Sequence, residues 1–282
     1  MGAEKEERPG LSGVPETMLW TLHNRAHEVL NPAGVLQDDR CVEIYRAIDY
    51  DYERSFGPPT PSHGVRSKVF DDLVRGFMAR HPDDPVIVNL GEGLETQRFR
   101  FEDDPALWFS VDLPDAMEVR ERFIQPDARH QHVAKSALDT SWMDAIPEKR
   151  PVFVTAQGLL MYFAERDVRD LVMSLAQRWP GVELAFDHIP PWLSNKTMSK
   201  EGMRTTKYYR APPMPWGLKV SEVVPRLRAW VGEVDDLGPV SFGYPRGAMS
   251  LLFKILGRVP VIRNHQYGIA HVRLNPPEAP SP

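Results

Sequence analysis

The sequence lacks the features that mark secreted and membrane proteins. Its 282 residues include one cysteine, Cys41, which excludes an intramolecular disulfide and suits a reducing compartment. No stretch reaches the roughly twenty apolar residues of a membrane span. The N-terminal residues also lack the apolar core of a signal peptide. We therefore expect a cytoplasmic protein with no membrane partner.

The sequence also lacks an excess of positive charge. Lys and Arg number 34 against 39 Asp and Glu, which gives a net charge of −5. A nucleic-acid-binding surface is therefore not indicated. Hydrophobic residues make up 42% and charged residues 26%, values of an ordinary globular protein long enough for one large α/β domain.

One short stretch indicates a ligand-binding unit. The apolar run Val86–Leu90 predicts a buried strand, and it ends in Gly91-Glu92-Gly93 before a helix-compatible segment. The first glycine allows a tight turn, and Gly93 lets a ligand approach the backbone. Asp112 ends the next apolar stretch, at the spacing at which an acid accepts the hydroxyls of a ribose.

The turn has no third glycine, because Leu94-Glu95-Thr96 follows Gly93. A dinucleotide fingerprint would continue to one, so the pattern favours a ribose with a short amino-acid tail, as in S-adenosylmethionine (SAM). A nicotinamide-dependent oxidoreductase would also want a Tyr-x-x-x-Lys pair, and Arg166 occupies the lysine position after Tyr162. A turn that only supports the sheet stays an alternative.

The region before the first strand is predicted to be helical. After a mobile tail at 1–13, helices are expected at 15–30, 39–48 and 65–80, so residues 14–82 form a cap over the sheet. His23 and His27 are four residues apart, but no further ligand stands at zinc-site spacing. We expect surface or cleft histidines and no metal site.

Strands and helices then alternate, which predicts a parallel sheet with right-handed crossovers. Strands are expected at 86–90, 107–111, 129–134, 151–157, 182–187, 231–237 and 268–274, and helices at 115–123, 167–179, 221–230 and 247–255. Ligands bind such sheets at the carboxyl ends of the strands. Five residues fall there: Gly91, Asp112, Leu138, Asp139 and Gln157.

A proline- and tryptophan-bearing insertion at 188–220 interrupts this alternation. A long loop in a compact domain is usually functional, so a lid is expected. It carries five cations, Lys196, Lys200, Arg204, Lys207 and Arg210. They indicate either a site for an anionic substrate or a solvated basic loop, and both stay open.

Several motifs resemble those of the leucine carboxyl methyltransferase family, in particular a bacterial branch that acts in polyketide synthesis. They are Asn89-Leu-Gly-Glu-Gly-Leu-Glu-Thr-Gln97, Ser110-Val-Asp-Leu-Pro114, Ser136-Ala-Leu-Asp139 with Trp142, Ala156-Gln-Gly-Leu-Leu-Met-Tyr162, Phe186-Asp-His-Ile-Pro190 and Pro212-Pro-Met-Pro-Trp-Gly217. The resemblance implies a Rossmann-like fold with a seven-stranded, mostly parallel sheet, an N-terminal helical cap and an inserted lid. One methyltransferase domain would span 14–275, with a tail at 276–282.

The resemblance also implies how SAM is held. Arg66 and Arg25 match cations for the SAM carboxylate, Gly91 lies under the amino-acid tail and Asp112 binds the ribose. Leu138 with Asp139 falls at the adenine, and Gln157 falls near the amino group. Two positions depart from the family pattern: Ala137 replaces an adenine-binding aspartate, and Gln157 replaces a glutamate.

We expect a SAM-dependent O-methyltransferase that releases S-adenosylhomocysteine and acts as a monomer or homodimer. Its acceptor would be a carboxylate or phenol of a small molecule such as a polyketide or other aromatic secondary metabolite. A phenol benefits from a base, for which His188 is a candidate, although a strand-end histidine hydrogen-bonded to the backbone is the alternative. Tyr162 could line the acceptor cleft or serve in aromatic packing. Arg204, Arg210 and Trp216 are predicted to bind the acceptor. A SAM-binding partner protein without catalysis is the alternative.

Overall fold

The computed structural model describes residues 13–101, 105–238, 240, 246 and 259–275. In these ranges the α-helices are α1 (Thr17–Leu30), α2 (Asp39–Ala47), α3 (Tyr52–Phe56), α4 (Ser62–Arg80), α5 (Pro114–Glu121), α6 (Glu165–Arg178), α7 (Pro191–Met198), α8 (Val223–Val231) and α9 (Pro260–Asn264). The predicted helix at 247–255, the tail at 276–282 and residues 1–12 of the N-terminal tail lie outside the described residues.

The strands form one seven-stranded sheet. They are β1 (Val86–Leu90), β2 (Leu107–Asp112), β3 (His130–Ala134), β4 (Val152–Ala156), β5 (Val182–His188), β6 (Glu233–Asp236) and β7 (Gly268–Asn275). Their order is β3-β2-β1-β4-β5-β7-β6, and β7 runs antiparallel to both of its neighbours. The predicted Rossmann-like, mostly parallel sheet is confirmed.

The central strand β1 is buried on both faces, as its apolar run predicts. Val86 and Val88 pack on one face with α6 and α8, whereas Ile87 packs on the other with Phe70 and Phe77 of α4. Each face therefore needs its own helical layer. The alternation of strands and helices along the chain supplies these layers.

The glycine turn does not lead into the expected helix. Among the described residues, a single 3₁₀ turn, Gln97–Arg100, lies between β1 and β2. The side chain of Glu95 explains the difference, because it points into the cap and accepts the backbone N–H of Thr96. The segment is thus shaped by contacts with distant helices rather than by its own helical tendency.

The carboxylate of Glu95 joins the glycine loop to the cap. One oxygen, Oε1, accepts hydrogen bonds from Arg25 of α1 at 2.7 Å and from Arg100 at 2.8 Å. The other oxygen accepts the hydroxyl of Ser67 of α4 at 2.7 Å. Although burial opposes ionisation, the two arginines hold the pKa of Glu95 below its usual range. Both helices of the cap are thereby fixed to the loop.

Arg100 extends this network to α2 and to the middle of α4. Its Nη1 lies 2.5 Å from Asp38, the residue that caps α2, and its Nε lies 2.7 Å from Asp71. On the other side of the loop, Arg120 of α5 donates to the carbonyls of Gly93 at 2.7 Å and Glu95 at 2.8 Å. The loop is therefore held by arginines from both sides.

We expect Glu95→Gln to lower the free energy of unfolding by about 3–5 kcal/mol, because breaking a buried ion pair leaves its partner charged and unpaired. The partner most affected is Arg25, whose side chain is 1% exposed. Denaturant unfolding measures the change. The matched control is Glu43→Gln, which removes an exposed pair with Arg40 and should cost no more than about 1 kcal/mol. Equal effects of the two substitutions would show that the network does not stabilise the fold.

Candidate active site

A cavity of about 590 Å³ opens at the carboxyl ends of β1, β2, β4 and β5. Its cover comes from the start of α1, the first turn of α4 and the 188–220 insertion, which contributes Ile189, Leu193, Met203 and Met214. The insertion is tied to the cap, since Thr205 and Thr206 donate to the carbonyl of Ser55 at 2.9 and 2.8 Å. Sheet, cap and insertion together enclose one site.

The two glycines of the loop keep one end of this cavity open. Gly91 and Gly93 have φ values of 61° and 52°, which other residues rarely adopt. A Cβ at Gly91 would lie 2.7 Å from Leu159, and one at Gly93 would lie 2.9 Å from Met18. Both positions therefore require glycine for conformation and for space.

Asp112 faces this end from the last position of β2. Its carboxylate accepts the backbone N–H groups of Gly93 at 2.7 Å and Leu113 at 2.8 Å. Burial raises its pKa to about 6, although the two N–H groups act in the opposite direction. Lone pairs left on the carboxylate can accept ligand hydroxyl groups, which is what a ribose requires.

The opposite side of the site is built around Asp187 at the end of β5. It is ion-paired with Arg66 of α4 at 2.9 Å and accepts the backbone N–H of Gly158 at 2.5 Å. The hydroxyl of Tyr267 donates to the same carboxylate. Next to this cluster, the Oε1 atom of Gln157 is buried and has no hydrogen-bond partner among the described residues. A buried acceptor without a partner fits a ligand ammonium group.

The remainder of the cavity is mainly apolar. Its lining includes Met18, Trp20, Met161, Phe163, Ile189, Leu193, Met203 and Met214. Two polar rings interrupt this surface, those of His63 and Tyr162. Burial raises the pKa of Tyr162 to about 12, so its hydroxyl is protonated at neutral pH. This half suits a flat or flexible apolar molecule that carries a polar group.

Six of the residues predicted from the sequence line the cavity: Arg66, Gly91, Gly93, Asp112, Gln157 and Tyr162. Three predicted cofactor residues do not. Arg25 is enclosed in the Glu95 network, while Leu138 is 37% exposed and Asp139 caps a 3₁₀ turn at the surface. Ser136 and Ala137 line the cavity at that strand end instead. The predicted roles of Arg25, Leu138 and Asp139 have no support from their positions.

The other predicted residues also lie away from the cavity lining. His188 is buried and donates from Nδ1 to the carbonyl of Leu218 at 3.1 Å. Gly268 packs so closely on its ring that a Cβ there would lie 2.5 Å from Nε2. Trp216 packs in the core against Phe186 and Trp230. Arg204 and Arg210 are exposed, and their backbones pair with each other. None of the four lines the cavity.

The polar lining residues that were not predicted include His63, Asp187 and Tyr267. Asp187 is the penultimate residue of β5 and the last residue of the strand predicted at 182–187, so the strand-end rule applied to Asp112 would have found it. Tyr267 precedes β7, whose antiparallel pairing with β5 brings its start to the carboxyl end of that strand. His63 is placed by the docking of the cap, for which the sequence carries no local signal.

No group of three or more metal-binding side chains occurs among the described residues. His23 and His27 instead join an aromatic cluster, in which His23 stacks on Tyr52 with ring centroids 5.5 Å apart. Within the described ranges, no helix is both long and apolar enough to cross a bilayer.

Comparison with known proteins finds relatives by sequence and a solved structure that resembles this chain. The tetracenomycin polyketide synthesis O-methyltransferase TcmP of Streptomyces glaucescens is 31% identical over 225 residues, covering 77% of this chain and 82% of that protein. A SAM-dependent methyltransferase of Gibberella zeae, dpfgK, is 26% identical over 72% of this chain and 77% of its own. A crystal structure of a putative methyltransferase from Thermobifida fusca covers 95% of this chain and 96% of its own, with 14% identity and a TM-score of 0.49.

The family comparison settles the relationship. The model of the leucine carboxyl methyltransferase family matches residues 26–176, which include the glycine loop, Asp112 and Gln157. This range is more than half of the chain. The relative in Streptomyces glaucescens is 31% identical over 77% of the chain. The chain is a SAM-dependent methyltransferase and belongs to the leucine carboxyl methyltransferase family.

Proposed function

We propose that this methyltransferase forms methyl esters on the carboxylate of a small, largely apolar acid. One observation carries the proposal: the described cavity wall offers hydrogen-bond donors, but no side chain placed to take a proton from the acceptor. A carboxylate, with a pKa near ~4, is ionised at neutral pH and needs no base. A phenol, near ~10, does need one or a strong local field.

The proton acceptors of the cavity are already engaged. Glu92 is ion-paired with Arg120 at 3.1 Å, Glu95 holds Arg25 and Arg100, and Asp187 holds Arg66. The remaining carboxylate, Asp112, is the one that we assign to the cofactor.

The Nδ1 atom of His63 lies 2.8 Å from the side-chain amide of Asn24. The chemistry available to these residues is therefore binding and orientation.

Five residues fit the cofactor by their positions in this cavity. Gly91 and Gly93 would leave space beside the loop, Asp112 would accept ribose hydroxyls, and Gln157 with Arg66 would hold the charged amino-acid end. When bound, SAM supplies a methyl group attached to a positively charged sulfur. Orientation of an acceptor oxygen in line with that methyl group can supply much of the rate acceleration.

The apolar half of the cavity indicates the rest of the acceptor. Its methionines and aromatic rings suit a flat carbon skeleton, and thioether side chains adapt to irregular shapes. The name of the Streptomyces glaucescens relative refers to polyketide synthesis. We infer that the acceptor is an aromatic acid, of polyketide origin or similar in shape.

An assay with α-naphthoate and α-naphthol as matched acceptors tests the proposal. We expect methyl naphthoate, detected by mass spectrometry, and no naphthyl methyl ether. The rate should stay nearly constant above about pH 7, because a carboxylate is already ionised there. Since His188 does not line the cavity, His188→Ala should retain most of the activity. Formation of the ether alone, or loss of more than a hundredfold in His188→Ala with intact cofactor binding, would contradict the proposal.

The cofactor assignment predicts that Asp112→Asn lowers the affinity for S-adenosylhomocysteine about ten- to a hundredfold, because hydrogen bonds to charged groups contribute about 1.5–3 kcal/mol. The parent protein should also bind more weakly as pH falls below the Asp112 pKa of about 6, since a protonated carboxyl is a poorer acceptor. The loss should approach tenfold per pH unit. Calorimetry measures both effects.

The control for this experiment is Asp144→Asn, which changes an exposed aspartate outside the cavity lining. Its affinity and pH dependence should match those of the parent. If Asp112→Asn also matches the parent, then Asp112 does not bind the cofactor.

A further inference from the structure

His63 is a polar residue in the apolar half of the cavity, and the proposed function has not yet given it a role. It lies in the first turn of α4, is half-buried and lines the cavity one helical turn before Arg66. The ring of Trp20 packs edge-on against it, with centroids 5.5 Å apart. A histidine in such a place acts as a base or as a donor, depending on which ring nitrogen carries the proton.

The hydrogen bonds of Asn24 determine which ring nitrogen of His63 carries the proton. Asn24 is 1% exposed, and its Oδ1 accepts the backbone N–H of Thr60 at 2.9 Å. A backbone N–H can only donate, so the carbonyl end of the amide must face Thr60. The Nδ2 end then faces the hydroxyl of Thr60 at 3.2 Å and the Nδ1 atom of His63 at 2.8 Å. The amide orientation is fixed by chemistry.

The orientation of Asn24 in turn fixes the proton on His63. Because Nδ2 of Asn24 donates, Nδ1 of His63 must accept and carry no proton. Burial, together with the charges of Arg66 and Arg25, holds the pKa of His63 well below its usual value, so the ring is neutral. A neutral ring without a proton on Nδ1 carries it on Nε2. No described residue is hydrogen-bonded to Nε2, and this N–H is available to a ligand.

We propose that the Nε2–H group of His63, oriented by Asn24 and Thr60, binds a carboxylate oxygen of the methyl acceptor. This inference rests on the proposed function and assigns to that site its anion-recognising group. It also accounts for the absence of a cation dedicated to the acceptor on the described wall, where Arg66 is already paired with Asp187. A neutral donor binds an anion without adding a charge that would oppose the positive cofactor.

Nitrogen NMR of histidine-labelled protein tests the orientation directly. We expect His63 to show a protonated Nε2 and an unprotonated Nδ1 at pH 7. Asn24→Asp should invert this pattern, because a carboxylate would accept from Nδ1–H. Comparison with His63→Gln identifies the His63 signals. A parent protein with its proton on Nδ1, or with a charged ring, overturns the inference.

Binding of α-naphthoate tests the contact. Calorimetry uses protein saturated with sinefungin, an analogue that carries an ammonium group in place of the sulfonium. His63→Leu should lower naphthoate affinity about ten- to a hundredfold, as expected for a hydrogen bond to a charged group. His63→Gln, which keeps an N–H donor, should recover most of this loss. Asn24→Asp should bind as weakly as His63→Leu, although it retains the imidazole ring.

The matched control is His81→Leu, at the other end of α4 and outside the cavity lining. It should bind sinefungin and naphthoate like the parent. Unchanged naphthoate affinity in His63→Leu, with sinefungin binding intact, would overturn the role of His63 and leave the proposed function standing. A parent protein that binds sinefungin but not naphthoate would instead overturn the proposed function, and this inference with it.

Discussion

The buried carboxylate of Glu95 is the interaction on which the architecture of the site depends. Its two oxygens hold Arg25, Arg100 and Ser67, and thus join the cap helices to the loop that ends β1. The cap is thereby held in a fixed position on the sheet, and this position places Arg66 and His63 in the cavity at the strand ends. Glu95 belongs to the motif that resembles a ligand-binding loop, yet its hydrogen bonds are made to the protein.

The charges around the cavity occur mostly as pairs. Glu92 faces Arg120 and Asp187 faces Arg66, so the wall presents little net charge to an acceptor. The proposed methyl transfer to an anion suits such a wall, because the two reacting partners would already carry opposite charges. What the protein adds is exclusion of water and alignment, and both follow from packed apolar side chains and neutral donors. Few dedicated catalytic side chains are needed for this reaction.

The sequence predicted the centre of the sheet well because β1, β2, β4 and β5 each carry a largely apolar, buried run. Gly91 and Asp112 could be placed in the site for the same reason, since Gly91 directly follows β1 and Asp112 ends β2. The residues supplied by the cap and the insertion could not be placed in this way. Arg25 and His63 both come from the cap, yet one faces the Glu95 network and the other faces the cavity. Only helix packing separates them, and no local pattern encodes it. Arg204 was predicted to bind the acceptor because of its charge, but the structure places its side chain at the surface.

The position of β7 has a consequence for how the protein acquires its activity during synthesis. This strand comes late in the chain but lies between β5 and β6, so β6 has no partner in the sheet until β7 has left the ribosome. Tyr267, which donates to Asp187, arrives with the same segment. The strands that carry the glycine loop and Asp112 can pair much earlier. A nascent chain would therefore complete the cluster around Asp187 only when β7 pairs with β5, which makes this part of the cavity depend on that late pairing.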